Sequence, residues 1–249
     1  MKSRRVLNSF VWMVVLTGLS AHGWGADRKI PSGAKVVDSG SFGIFINGRR
    51  VATETFSIEQ FADSSVTKSE LRVEDGGNRA QQTSELHLSS TGDLRRYTWN
   101  ESAPGKAQAV VEPKDTFLVE HLVASPTDKP LEQPFILPPS TMILDDYFFA
   151  QRELLVWRYL GSSCKLELGT NGCKLSRLQF GVLIPRQRAS VLVSMEYAGK
   201  ENVTVRGQSR MLSRFNLVAD GVDWNLWLDE NYRLIRVYIP AEATEVVRD

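Results

Sequence analysis

Hydrophobic and polar residues alternate with a period of two along much of the chain from residue 41 onward. Phe42, Ile44 and Ile46 share one side of the first such segment, and the dipeptide Asn47-Gly48 follows it. Both turn residues tolerate a positive φ, so the dipeptide predicts a two-residue β-hairpin. Because tight turns join one short segment to the next, the pattern predicts an antiparallel meander.

The alternation returns after a proline-rich connector at residues 126–139. Proline fixes φ and removes a backbone donor, so neither sheet nor helix is expected to continue through this connector. The later segments again have one apolar face each, which is typical of a sheet with one buried and one wetter face. The clearest examples are Leu178, Phe180, Val182 and Ile184, then Val191, Val193, Met195 and Tyr197.

Residues 141–160 break this pattern and predict one helix, which Ser140 or Thr141 could cap and Gly161 could end. Its apolar and aromatic residues spread around much of the helix surface, which predicts burial on more than one side. The fold class we predict is mainly β, with a large curved antiparallel sheet, an open half-barrel, wrapped around one central α-helix. Two packed sheets bridged by the helix are the alternative, since very large sheets curl or split.

Residues 1–25 have the features of a secretory signal peptide. Three basic residues precede an apolar stretch at 10–19, and small residues offer cleavage sites near Gly23 or Gly25. The apolar stretch is too short to span a bilayer. We therefore expect a periplasmic or secreted protein with no transmembrane segment and a single domain over 26–249, exported by the general route or, through its Arg-Arg pair, by the twin-arginine route.

Charge excludes one class of partner. The chain has 30 Lys and Arg against 29 Asp and Glu. Without the predicted signal peptide the balance is 27 to 29. Nucleic-acid binding usually needs a basic surface, so no nucleic-acid partner is expected.

The two cysteines, Cys164 and Cys173, are expected to form a disulfide in an oxidising compartment. Gly169, Asn171 and Gly172 predict a turn between them, across which the sulfurs could meet. A reactive or metal-binding pair is the alternative, but no further Cys or His lies nearby in the sequence to complete a metal site.

Motifs of catalysis are missing from the sequence, which contains no His-Glu-x-x-His, no Gly-x-Ser-x-Gly and no phosphate-binding loop. We therefore expect no enzyme, no cofactor and no metal. A hydrolase would need His87 or His121 beside a nucleophile in a cleft. Asp145 and Asp146 are expected to favour the helix macrodipole; alternatively, one of them faces a cavity and binds a polar head group.

Aromatic residues of the predicted helix and apolar residues of the facing strands either fill the core or line a pocket between helix and sheet. The ligand-pocket candidates are Tyr147, Phe148, Trp157, Phe180, Val193 and Met195. Trp224 and Trp227 fall on opposite faces of one strand. At least one of them is therefore expected on the outer face, either at an interface or packed under a loop.

Several segments carry a family resemblance. They are residues 41–48 (SFGIFING), 53–56 (TETF), 144–155 (LDDYFFAQRELL), 183–185 (LIP), 226–240 (LWLDENYRLIRVYIP) and 245–249 (EVVRD). The chain resembles a family of uncharacterised exported bacterial proteins, a domain of unknown function, similar in fold to the periplasmic lipoprotein carriers. The resemblance implies an apolar cavity that holds acyl chains inside a half-barrel, by analogy of fold alone.

Two functions from different classes follow. The preferred one is a non-catalytic exported module that binds an apolar or amphipathic ligand, a lipid or an acylated protein, in the half-barrel cavity. The alternative is a structural or interaction protein of the cell envelope that docks a protein partner through a sheet edge or exposed aromatic residues.

Overall fold

The computed structural model describes residues 33–75, 78–164, 173 and 175–249, so the predicted signal peptide lies outside the described residues. Within these ranges, fifteen strands and one α-helix account for the main elements. The strands are β1 Lys35–Ile46, β2 Arg49–Gln60, β3 Ser64–Asp75, β4 Asn78–Ser89, β5 Leu94–Ala103, β6 Gln108–Lys114, β7 Phe117–Val123, β8 Leu131–Phe135, β9 Met142–Ile143, β10 Leu178–Ile184, β11 Ala189–Val205, β12 Gln208–Ala219, β13 Val222–Leu228, β14 Leu234–Ile239 and β15 Thr244–Arg248.

All fifteen strands belong to one open sheet, in the order β8-β7-β6-β5-β4-β3-β2-β1-β15-β14-β13-β12-β11-β10-β9. Neighbours pair antiparallel except β9 and β10, which are parallel. The sheet confirms the predicted half-barrel and excludes two separate sheets for the described residues. Its middle is a seam between β1 and β15, where Phe42 lies opposite Arg248.

The hairpin predicted from Asn47-Gly48 joins β1 to β2. Both residues have positive φ, 51° and 77°, as a two-residue turn matching the twist of antiparallel strands requires. Inward residues of the two strands then meet on the face that packs against the helix, which we call the inner face. Phe42 and Phe56 stack there with their ring centroids 4.9 Å apart.

The helix α1 spans Ala150–Ser163 and therefore begins nine residues later than predicted. Upstream of it, Met142–Ile143 form the short strand β9, because Val182 and Leu183 of β10 pair with them. Tyr147 then takes a φ of 62°, which a right-handed helix does not allow. Residues 150–156 are all buried, which confirms burial on more than one side. No helix in the described residues has the length and apolar character needed to cross a membrane.

The long hairpin of β11 and β12 forms a second, smaller core. A register shift between Tyr197 and Gly199, where Gly199 has a φ of 107°, interrupts the pairing of these strands. Beyond it, Val203 and Leu212 pack with Trp227. Trp227 is thus buried beneath the hairpin, whereas Trp224 packs against the main core, as expected for residues on opposite faces.

The disulfide between Cys164 and Cys173 is present, which confirms the predicted pairing. Cys164 directly follows α1, and its backbone N–H donates to the carbonyl of Leu160 at 2.8 Å. The turn predicted at 169–172 lies outside the described residues.

Replacing both cysteines with serine is expected to lower the free energy of unfolding by about 2–3 kcal/mol, since an open loop of this size has more freedom in the unfolded chain. Urea unfolding of the oxidised wild type and the double variant measures the difference. An equal loss on reduction of the wild type is the matched control; an unchanged midpoint in both would contradict the prediction.

Candidate functional site

The buried carboxylate of Asp145 anchors the segment between β9 and α1. It accepts hydrogen bonds from the Tyr97 hydroxyl at 2.5 Å, from Nε of Arg186 at 2.6 Å and from the backbone N–H of Asp146 at 2.8 Å. Burial raises the pKa of Asp145, while Arg186 acts in the opposite direction. Asp145 therefore precedes the helix and binds the sheet, instead of standing in the first helical turn as predicted.

Glu54, on the inner face of β2, takes the place expected for Asp145 at the positive end of the helix. Its carboxyl oxygens accept the backbone N–H groups of Phe149 at 2.6 Å and Ala150 at 3.4 Å, and the Ser69 hydroxyl at 2.7 Å. These donors are among those that a helix start leaves unpaired. Burial raises the pKa of Glu54 to about 7 despite these hydrogen bonds.

Near the start of α1, two arginine side chains each lie between two aromatic rings. Arg186 lies over the rings of Trp99 and Phe148, with its guanidinium carbon 5.3 and 5.6 Å from their centroids. Arg152 lies between Phe149 and Trp224 at 5.3 and 5.2 Å. Cations in such positions are attracted by the negative ring faces, so they fix the aromatic residues as well as the backbone.

A second carboxylate group lies further along α1. Glu153 is fully buried and accepts the backbone N–H of Leu234 at 2.9 Å. Arg248 donates to both carboxylate oxygens of the nearby Asp38, at 2.8 and 2.6 Å. Burial, and next the negative charge of Asp38, raise the pKa of Glu153 to about 9.

Glu120, on β7, is fully buried, and neither of its carboxyl oxygens has a hydrogen-bond partner among the described residues. Burial raises its pKa to about 7, with Arg188 opposing that rise. It lies opposite Val111 in the sheet, and Val111 lies opposite Tyr97, so Glu120 shares the inner face with Tyr97. Burial without a hydrogen-bond partner therefore favours the protonated form of this carboxyl group below about pH 7.

One cavity opens on the inner face where α1 leaves it uncovered. This β10–β13 pocket has a volume of about 260 Å³. Its walls come from four strands and the turns between them, from the segment before α1 and the first turn of α1, and from a turn after β14. They are Leu144, Asp146, Arg152, Val182, Ile184, Gln187, Ala189, Val191, Val193, Leu217, Ala219, Asp220, Val222, Trp224 and Glu242.

A second cavity, the helix cleft, lies beside the other end of α1 and has a volume of about 430 Å³. Leu88, Met142, Leu154 and Trp157 form its apolar part, and hydroxyl groups of the β4–β5 turn form much of its polar part. Arg158 crosses this polar part and donates a hydrogen bond to the carbonyl of Thr91 at 2.5 Å. The helix therefore fills the middle of the half-barrel and leaves a cavity on each side.

The structure divides the six predicted pocket residues. Val193 lines the β10–β13 pocket and Trp157 lines the helix cleft. Phe148 and Met195 are fully buried in the main core, and Phe180 packs against that core half-buried. Tyr147 is 40% exposed and lines neither of these two cavities.

The buried carboxyl groups and the two described histidines lie outside both cavities. Of the buried carboxylates at positions 38, 54, 59, 120, 145 and 153, none lines either of the two cavities. His87 contacts Glu85 at 2.5 Å, and His121 lies 4.0 Å from Glu132. No group of three or more His, Cys, Asp or Glu side chains in the described ranges is placed to hold a metal ion.

Comparison with known proteins adds one similar structure. No family model matches the chain, and no curated protein matches it. The chain is similar to a beta-barrel-like protein of domain of unknown function DUF1849 from Brucella abortus, known from a crystal structure, with 10% identity over 86% of this chain and 97% of that chain and a TM-score of 0.49. An identity this low says nothing about a ligand, so the resemblance to lipoprotein carriers stays a prediction.

Proposed function

We propose that the chain is a non-catalytic exported module that binds an apolar or amphipathic ligand, a lipid or the acyl group of a protein, in the β10–β13 pocket. The observation that supports it is an apolar inner face that α1 leaves uncovered over four strands. Binding sites are commonly concave and mostly apolar with a few polar groups, which is the composition of this pocket.

Preorganisation of one wall also supports binding. Leu144 and Asp146, which flank the anchored Asp145, both line the pocket. The position of Asp145 is fixed by Tyr97 and Arg186, so this wall is held before a ligand arrives. A preformed wall loses little conformational entropy on binding, and that raises affinity.

The volume sets the size of the ligand. At about 260 Å³, the pocket lies just below the usual range of about 300–1,000 Å³ for sites that enclose a drug-sized molecule. We therefore propose that it receives one short alkyl chain or the end of a longer one, with the remainder outside.

Val222→Phe is expected to fill the pocket and to reduce the affinity for decanol at least tenfold, because the added ring occupies the space of the alkyl chain. Calorimetric titration measures this affinity. Val222 lines the pocket half-buried, so a larger side chain can be accommodated without breaking the closed core. Lipid extraction of the purified protein followed by mass spectrometry is expected to show the same loss of any natural ligand.

Val218→Phe is the matched control, since Val218 is half-buried on the preceding strand and lines neither cavity. It is expected to bind decanol as the wild type does. A wild type that binds no decanol and yields no extractable ligand would rule out the proposed pocket, as would equal binding by Val222→Phe.

A docking function is the second candidate, and one edge of the sheet favours it. Strand β8 pairs with β7 on one side and with no strand of the described residues on the other. Leu131 on this edge is 48% exposed, and Ile136 directly after it is 98% exposed. Crosslinking in cells from position 136 to a defined protein would support docking, and its absence would leave ligand binding as the better account.

A further inference from the structure

We infer that the β10–β13 pocket selects amphiphiles whose polar group is a positively charged ammonium; this inference rests on the proposed function. The pocket lining carries three carboxylates, those of Asp146, Asp220 and Glu242, against the single guanidinium of Arg152. Its apolar wall suits an alkyl chain of any kind. The charges at its mouth distinguish between head groups.

The guanidinium of Arg152 is turned toward the protein interior. Its Nη1 donates to the backbone carbonyls of Asp145 and Phe148, and the residue is only 4% exposed. The carboxylate of Asp146 interacts most strongly with its charge, followed by the buried carboxyl groups of Glu54 and Asp145. Its positive charge is therefore balanced by Asp146 and by the carboxyl groups behind the pocket wall, so the exposed carboxylates of Asp220 and Glu242 set the charge at the mouth.

The carboxylates of Asp220 and Glu242 are the negative charges available to a ligand. Both residues are exposed, and neither side chain forms an ion pair or hydrogen bond with another described residue. Asp146 accepts one hydrogen bond, from the amide of Gln187 at 2.9 Å. An unpaired carboxylate attracts a cation and repels an anion over roughly 10 Å at an ionic strength of about 0.1 M.

The two features together define the ligand class. An alkyl chain fits the apolar wall, and an ammonium group at its end meets the carboxylates at the mouth. A fatty-acid anion of the same length would place its carboxylate against them. The neutral alcohol of that length would gain the apolar contact alone.

Three ligands that share a ten-carbon chain separate these contributions: decyltrimethylammonium, decanol and decanoate, titrated by calorimetry below their micelle concentrations at low salt. We expect the ammonium to bind more tightly than decanol, and decanol more tightly than decanoate. In the double variant Asp220→Asn/Glu242→Gln, we expect the ammonium affinity to fall about three- to tenfold, as for the loss of two exposed charge contacts, with decanol unchanged.

Asp115→Asn/Glu230→Gln is the matched control, because it removes the same two charges from exposed turns outside the pocket. Asp115, like Asp220, has a positive φ that asparagine tolerates. We expect this variant to keep the wild-type order of affinities.

The outcomes distinguish the selectivity from the pocket itself. If decanol does not bind, the proposed pocket fails, and its selectivity fails with it. If decanol binds but decanoate binds as tightly as the ammonium, only the selectivity is overturned. If Asp220→Asn/Glu242→Gln still binds the ammonium in preference to decanol as the wild type does, these two carboxylates do not cause the selectivity, and the inference is overturned.

Discussion

Replacing Asp145 with alanine is expected to lower the free energy of unfolding by about 3–5 kcal/mol, the usual cost of removing one partner from a buried ion pair. Nε of Arg186 and the Tyr97 hydroxyl would lose their acceptor, and both side chains are largely enclosed. The segment that forms one wall of the β10–β13 pocket would lose its anchor at the same time. Urea unfolding measures the free energy of unfolding. Decanol titration under conditions where the variant is still folded measures the affinity of the pocket.

Asp63→Ala provides the control for Asp145→Ala. Asp63 also pairs with an arginine, Arg95, at 3.3 Å, but its side chain is 73% exposed. Water replaces such a contact readily, so we expect the free energy of unfolding to stay nearly unchanged. If Asp63→Ala and Asp145→Ala lower the free energy of unfolding by similar amounts, burial does not explain the contribution of Asp145 to stability.

Replacing Glu120 with glutamine is expected to stabilise the folded chain by about 3 kcal/mol at pH 8 and to change little at pH 4.5. The folded-state pKa of Glu120 is raised to about 7, so the folded chain holds a proton that the unfolded chain has released. Stability is therefore fully present below the unfolded pKa of 4.5 and is lost as the pH rises through 7. Glutamine does not ionise, so the variant avoids that loss, at about 1.4 kcal/mol per unit of pKa.

Urea unfolding at pH 4.5, 6, 7 and 8 tests this dependence. The wild type should lose stability across this range through Glu120 and also through Glu54, whose pKa is likewise raised to about 7, and the loss continues toward pH 9 through Glu153, whose pKa is raised to about 9. Glu132→Gln on the neighbouring strand is the control, since Glu132 is 53% exposed. Parallel pH profiles of wild type and Glu120→Gln would contradict the assignment to Glu120.

Most of the sheet could be predicted because its signals are local, but β8 (Leu131–Phe135) forms inside the proline-rich connector, where the sequence predicts no strand. Alternation of apolar and polar residues sets which face is buried, and Asn47-Gly48 needs only its own two residues to make its turn. The disulfide follows from having two cysteines close in sequence. These features do not depend on which distant strand lies beside which.

The start of the helix could not be predicted because a distant strand decides it. Residues 141–149 have a composition that a helix tolerates, but Met142 and Ile143 pair instead with Val182 and Leu183. That pairing places Asp145 against Tyr97 and Arg186, partners 48 and 41 residues away. Neither contact can be predicted from the spacing of these residues along the sequence.

The buried glutamates did leave a signal in the sequence. Glu54 occupies an inward position between Ala52 and Phe56, and Glu120 an inward position between Leu118 and Leu122. A charged residue inside an apolar row predicts either a buried partner or a perturbed pKa. The alternation shows that such a residue is unusual. It does not show whether the residue meets a helix N-terminus, as Glu54 does, or lacks a hydrogen-bond partner among the described residues, as Glu120 does.

The pairing of β1 with β15 has a consequence for how the chain reaches its native state. These two strands are separated by nearly the whole described chain, with Ile46 opposite Thr244. Closing so long a loop carries a large entropic barrier, and topologies dominated by distant contacts fold slowly. Because β15 is synthesised after β1–β14, we expect the part of the sheet from β1 to β8 and the part from β9 to β14 to stay unjoined, each with an additional open edge, until β15 pairs with β1.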